Sequence, residues 1–152
     1  LYTALTYLAS AMNLAYGAVQ FRFSEALTVL PVLTPAAIPG LTLGCILSNL
    51  ASPFGIWDIV FGSLATLLAC VITYFTRKIT IKGLPVLSPI ITSLVNGLII
   101  GIEISAFMPQ GFTFKAMLIE GSYVFLGEIV ITFALGLPLF SALKRTKIFK
   151  IK

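Results

Sequence analysis

Residues 57–76 read WDIVFGSLATLLACVITYFT, a single charge at Asp58 followed by eighteen positions without another. A helix needs about 20 predominantly apolar residues to cross the hydrocarbon of a bilayer. A strand of a membrane barrel would instead alternate apolar and polar side chains over about ten positions. Nothing between Ile59 and Thr76 alternates, so this stretch reads as a membrane-spanning helix.

The rest of the chain repeats that pattern. Of 152 residues, 59% are hydrophobic and only 10% charged, and the mean hydropathy is +1.07. Soluble domains carry about a quarter charged residues, so this chain lacks the polar surface that water requires. Glycine and proline recur inside the apolar runs, as membrane helices tolerate. Six segments follow, over residues 1–17, 24–33, 36–51, 57–76, 85–107 and 114–143, and residues 1–152 read as one transmembrane domain. The second segment is short: ten residues of α-helix reach about 15 Å, half the hydrocarbon thickness. Segments two and three therefore read either as a half-helix and a short helix or as one kinked span.

Charge decides between these counts. Arg77, Lys78 and Lys82 follow the fourth segment, and Lys144, Arg145, Lys147, Lys150 and Lys152 follow the sixth. Basic residues mark cytoplasmic ends. Two spans separate the clusters, so both can be cytoplasmic at once. Counting back puts the N-terminus inside and the loops at 17–23, 52–56 and 107–114 outside. The chain opens directly on Leu1-Tyr2-Thr3-Ala4 with no cleavable signal peptide, as if the lead-in to its first helix were absent.

All five acids, Glu25, Asp58, Glu103, Glu120 and Glu128, then fall in the outer half or near mid-membrane, with Gln20, Arg22, Asn49 and Asn96. A charge at the bilayer centre costs about 2.5–3.5 kcal/mol on insertion scales, so such groups face a cavity, a partner charge or a substrate. Glu128 lies deepest, awaiting either a ligand or Arg22. Asn96 and Glu103, two turns apart, share a helix face, and Gly97 with Gly101 suits a close helix contact. Glu103 and Glu120 read as nearer the outer rim, open to solvation or function alike. Asp58, Ser24 and Glu25 stand where side chains cap or complement a helix N-terminus, or where they touch a substrate. Tyr16, Phe21, Phe23, Phe54 and Trp57 form either an interfacial belt or a stacking surface for a planar ligand. Ala4, Ala11 and Ala15 offer a small-residue face, with Ala11 and Ala15 spaced for helix packing or for docking a second membrane subunit.

Other chemistries are poorly served. Histidine is absent, which removes the commonest general base and metal ligand. No GxxxxGK[ST] occurs, so ATP is not bound through a P-loop. Cys45 and Cys70 lie singly in apolar runs and read as small core residues. No nucleophile, base and metal set points to an enzyme.

Several runs together carry a family resemblance: Val19-Gln20-Phe21-Arg22, Ser24-Glu25-Ala26-Leu27, the Thr34–Gly40 run TPAAIPG, the Asp58–Thr66 run DIVFGSLAT, Val95-Asn96-Gly97, Gly127-Glu128 and Gly136-Leu137-Pro138. In these the chain resembles the QueT family, substrate-binding S components of energy-coupling-factor (ECF) importers for queuosine precursors. The stretch 112–123 departs from the family pattern, and Glu120 is not carried over. The resemblance implies an all-α, six-transmembrane-helix bundle of S-component type with an outward-facing site. It also implies a membrane coupling subunit (T component) and two cytoplasmic ATPases as partners, with no cofactor and no nucleic acid. The implied ligand is a 7-deazaguanine such as queuine or 7-aminomethyl-7-deazaguanine, held by Gln20, Arg22, Glu25, Asp58, Asn96 and Glu128. Its N–H edge suits paired carboxylate acceptors, and its amine suits a second carboxylate.

Two other classes compete on the residues alone. Half of a proton-coupled secondary transporter would also place carboxylates and broken helices at mid-membrane, though it would usually show internal repeats. A purely structural membrane subunit would leave the buried acids unexplained.

Overall fold

The computed structural model describes residues 1–15 and 19–146, so Tyr16, Lys147, Lys150 and Lys152 lie outside the described residues. Six helical segments follow one another: α1 (Tyr2–Ala11), a 3₁₀ helix (Phe23–Val32), α2 (Ala37–Asn49), α3 (Ile56–Phe75), α4 (Leu87–Ala106), and a last segment of α5 (Phe114–Ile131), a π turn (Thr132–Gly136) and α6 (Leu137–Arg145). Three are long and apolar enough to cross a membrane: Ile56–Phe75, Leu87–Ala106 and the continuous Phe114–Arg145. The six-segment reading of the sequence agrees with this order.

The bundle is apolar outside and polar within. On α3 the side chains of Val60, Leu64, Leu68, Ile72 and Phe75 are exposed, while Asp58, Gly62, Ala65, Thr66, Ala69 and Thr73 are buried. The buried set recurs every three or four residues, one face of a helix. A soluble domain distributes these classes the other way. Exposed aliphatic side chains on α3, α4 and α5 form the surface that lipid covers.

The first helix is shorter than its sequence suggests. It stops at Ala11 rather than running to 17. Asn13 takes a left-handed conformation with φ 57°, which asparagine tolerates better than most residues. Its N–H donates to the Ser10 carbonyl and the Leu14 N–H to the Ala9 carbonyl, both at 2.9 Å, the paired bonds of a Schellman ending. Ala15 is buried beyond the helix end, so Ala11 and Ala15 do not share a helical face.

The 3₁₀ helix occupies the middle of the bundle. Eight of its ten residues are buried, although runs of this helix rarely exceed about four residues. Leu27 from this helix and Leu41 and Cys45 from α2 share one apolar cluster with Tyr2 and Cys70. In a single kinked span Leu27 and Cys45 would stand about 27 Å apart. The chain instead reverses between the two segments, and the half-helix reading holds.

Helices α4 and α5 meet through glycine. A Cβ on Gly97 would come within 2.8 Å of the Gly121 carbonyl oxygen, and one on Gly101 within 2.8 Å of the Gly121 Cα. The close contact read from Gly97 and Gly101 is therefore made, with Gly121 as its third member. In the last segment the π turn ends two residues before Pro138. Proline lacks the N–H for an internal helical bond and crowds the preceding turn, which a widened turn relieves.

The basic residues gather at one end. Arg77, Lys78 and Lys144 line a cavity of about 240 Å³ with Val32 and Phe140. The Lys144 ammonium donates to the Gly83 carbonyl at 3.3 Å. Lys82 and Gly83 both have positive φ between the paired residues Ile81 and Leu84, as a tight primed hairpin turn requires. Just inside this end, Val29, Val32, Leu33 and Phe140 pack into a second apolar cluster. Cys45 and Cys70 are free and buried, as small core residues.

Candidate functional site

Above the apolar floor, polar side chains converge from five segments. Gln20, Arg22, Glu25, Asp58, Asn96 and Glu128 are all buried, at 5% exposure or less. The segment entering the 3₁₀ helix supplies Gln20 and Arg22, and the first turn of that helix supplies Glu25. Asp58 comes from the first turn of α3, Asn96 from the middle of α4 and Glu128 from α5. Gly127 lets the backbone at Gln20 press directly against α5, because any Cβ there would overlap the Gln20 carbonyl. That contact sets Glu128 beside the incoming chain.

The deeper tier holds Glu25, Glu128 and Asn96. Asn96 lies within reach of both carboxylates. The Tyr2 hydroxyl donates to Glu25 Oε1. Glu25 Oε2 and Glu128 Oε2 are buried with no hydrogen-bond partner among the described residues. Two acceptor oxygens are thus held in a dry interior, where an unsatisfied polar atom costs about 1–3 kcal/mol and more when charged.

The outer tier is built on Asp58. Its carboxylate accepts from the Ser52 hydroxyl and stands 3.8 Å from the Arg22 guanidinium. Arg22 also donates through Nε to the Ala15 carbonyl at 3.2 Å. Asn49 ties α2 to this corner by donating to the Asp58 carbonyl at 2.7 Å. Gly62 leaves room for it, since a Cβ there would meet the Asn49 amide at 2.5 Å. Glu103 completes the tier, beside Asp58 and within the field of Arg22.

Several expectations need correction here. Glu103 was left open to solvation or function; it is 3% exposed, which removes the solvated reading and adds it to the cluster. Ser24 does not cap the 3₁₀ helix, whose N-cap position is Arg22, with no side-chain capping hydrogen bond. Its hydroxyl instead accepts from Thr6 at 2.8 Å. Asp58 sits in the first turn of α3, where its charge complements the helix dipole. It does not cap: the cap position is Gly55 at φ 63°, with no side-chain hydrogen bond. The first set of site residues also omitted Tyr2, Asn49 and Glu103. Asn49 and Glu103 were visible as polar residues in apolar runs, whereas nothing at Tyr2 signalled its bond to Glu25. Of the aromatic group, Trp57 packs on Phe107 with ring centroids 4.8 Å apart, and Phe54 is 48% exposed.

An apolar exterior, three spanning-length helices and a sealed polar interior define a helical membrane protein organised around buried charge. The QueT transporter family model matches residues 1–145, and the chain belongs to that family. The match includes 112–123, the stretch set aside in the sequence. Neither the curated proteins nor the solved structures provide a match.

Proposed function

We propose that this chain is the substrate-capturing subunit of an ECF-type importer and that its ligand is a queuosine precursor of the 7-deazaguanine class. Residues 1–152 act as a single binding domain, with Gln20, Arg22, Glu25, Asp58, Asn96 and Glu128 as the contact residues. The observation that carries this reading is the pair Glu25 and Glu128, sealed around Asn96 with one oxygen each left without a donor. A guanine-like edge presents adjacent N–H donors, which paired carboxylate and amide acceptors match. In this reading the acid end of the bundle faces outward. The basic end, with both termini, faces the cytoplasm, as positive charge favours. A membrane coupling subunit and two ATPases supply the energy that this sequence has no P-loop to harvest.

Titration of the purified chain with 7-aminomethyl-7-deazaguanine tests the reading, together with uptake assays in liposomes. Binding should need no partner, and uptake should require the coupling subunit, the ATPases and ATP. Uptake by this chain alone on a proton gradient would favour a secondary transporter.

A further inference from the structure

The cluster gathers four acids around one described cation. Glu25, Asp58, Glu103 and Glu128 are each at most 3% exposed, and Arg22 is the buried cation among them. The other described basic residues lie elsewhere: Arg77, Lys78 and Lys144 line the cavity at the opposite end, and Lys82, Lys115 and Arg145 are exposed. An ionised carboxylate at this depth needs a compensating charge, which a cationic group on a ligand would supply.

The outer tier is where that demand is greatest. Both carboxylate oxygens of Glu103 are buried with no hydrogen-bond partner among the described residues. Asp58 lies alongside, within side-chain hydrogen-bond reach of Glu103. Phe107 follows Glu103 by four residues, one turn further out on the same face, and its N–H donates to the Glu103 carbonyl at 3.3 Å. Trp57 precedes Asp58 and packs on Phe107 at 4.8 Å. The two rings pair at the outer ends of α3 and α4, beside Asp58 in sequence and one turn beyond Glu103, and an aromatic face also attracts a cation. Asn96 and Glu103 are seven residues apart on α4, a rise of about 10 Å. That separation suits a planar bicyclic base in the deep tier with a short arm reaching the outer one.

We propose that Glu103 and Asp58, beneath the Trp57–Phe107 pair, form a subsite for an ammonium group on the ligand, so that the protein selects precursors with a cationic arm over neutral ones sharing the same base. The inference rests on the deazaguanine reading of the deep tier and adds a specificity-determining residue, Glu103, to it. An ammonium donates up to three hydrogen bonds and has no acceptor. Glu103 and Asp58 together supply buried carboxylate acceptors, and both Glu103 oxygens lack a donor among the described residues.

The test compares two compounds with one base, 7-aminomethyl-7-deazaguanine and the uncharged 7-cyano-7-deazaguanine, titrated into the purified full chain. The parent should bind the aminomethyl compound at least about tenfold more tightly, the worth of one charge-assisted hydrogen bond. Glu103→Gln should bring the two affinities together by weakening the aminomethyl compound alone. Phe107→Leu gives the same comparison without touching a buried acid, and selectivity should shrink there too. Equal affinity of the parent for both compounds overturns the subsite and leaves the deep-tier reading standing. A Glu103→Gln protein that loses both compounds in equal measure also overturns it. Binding of neither compound to the parent overturns the deazaguanine reading and the subsite with it.

Discussion

The Arg22 guanidinium stands 3.8 Å from the Asp58 carboxylate, with 5% and 4% of the two side chains exposed. This pair joins the segment entering the 3₁₀ helix to the first turn of α3. Arg22 is also close enough to Glu25, Glu103 and Glu128 for its charge to act on each. One cation thus steadies four carboxylates drawn from four helices.

Arg22→Ala should therefore destabilise the fold by about 3–5 kcal/mol, as removing one member of a buried ion pair does. Asp58→Asn should cost less, because Arg22 keeps three other carboxylates nearby. Thermal unfolding in detergent, followed by tryptophan fluorescence at Trp57, measures both. An Arg22→Ala protein that melts with the parent would remove Arg22 from this role.

The helix crossing at Gly121 makes a steric prediction. A Cβ there would come to 2.5 Å from the Gly97 carbonyl oxygen, whereas one on Gly40 meets nothing within 4 Å. Gly121→Ala should lower stability by about 1–3 kcal/mol, the usual cost of forcing atoms into a packed contact. Gly40→Ala should be nearly silent. Comparable melting of the two variants would argue against the close α4–α5 approach.

Much of this architecture was legible in the sequence because lipid imposes long apolar runs, and a break in such a run is easy to see. The six segments, the small-residue contact at Gly97 and Gly101, and the buried state of Glu128 all follow from that constraint. The end of α1 did not, because one left-handed residue, Asn13, outweighs the apolar pattern around it. The burial of Glu103 stayed open for a different reason. Its position near the end of α4 suggests the rim, whereas its neighbours Asp58 and Arg22 come from other segments, and periodicity along one helix is blind to them. Tyr2 was missed likewise, since its partner Glu25 lies 23 residues away. Pro138 was noticed only as part of a motif, although it also marks the π turn before it.

Orientation is tested by surface labelling. Cys45 and Cys70 are buried and can be replaced to leave a silent background. Single cysteines at Phe54 and Phe112, both about half exposed, should react with an impermeant reagent added outside whole cells. A cysteine at Lys82 should react only after the membrane is opened. Outside labelling at Lys82 would invert the proposed topology.

The central claim is that the buried carboxylates of the deep tier receive the ligand's N–H donors, and Glu128→Gln probes it most directly. The change keeps the shape of the side chain but turns one acceptor into a donor that opposes the ligand's own donors. A charge-assisted hydrogen bond is worth about 1.5–3 kcal/mol, and a mispaired donor adds to its loss. Titration of 7-aminomethyl-7-deazaguanine into purified parent and variant should show affinity falling at least about tenfold, with yield and melting near those of the parent. Equal affinity in the two proteins would contradict the account.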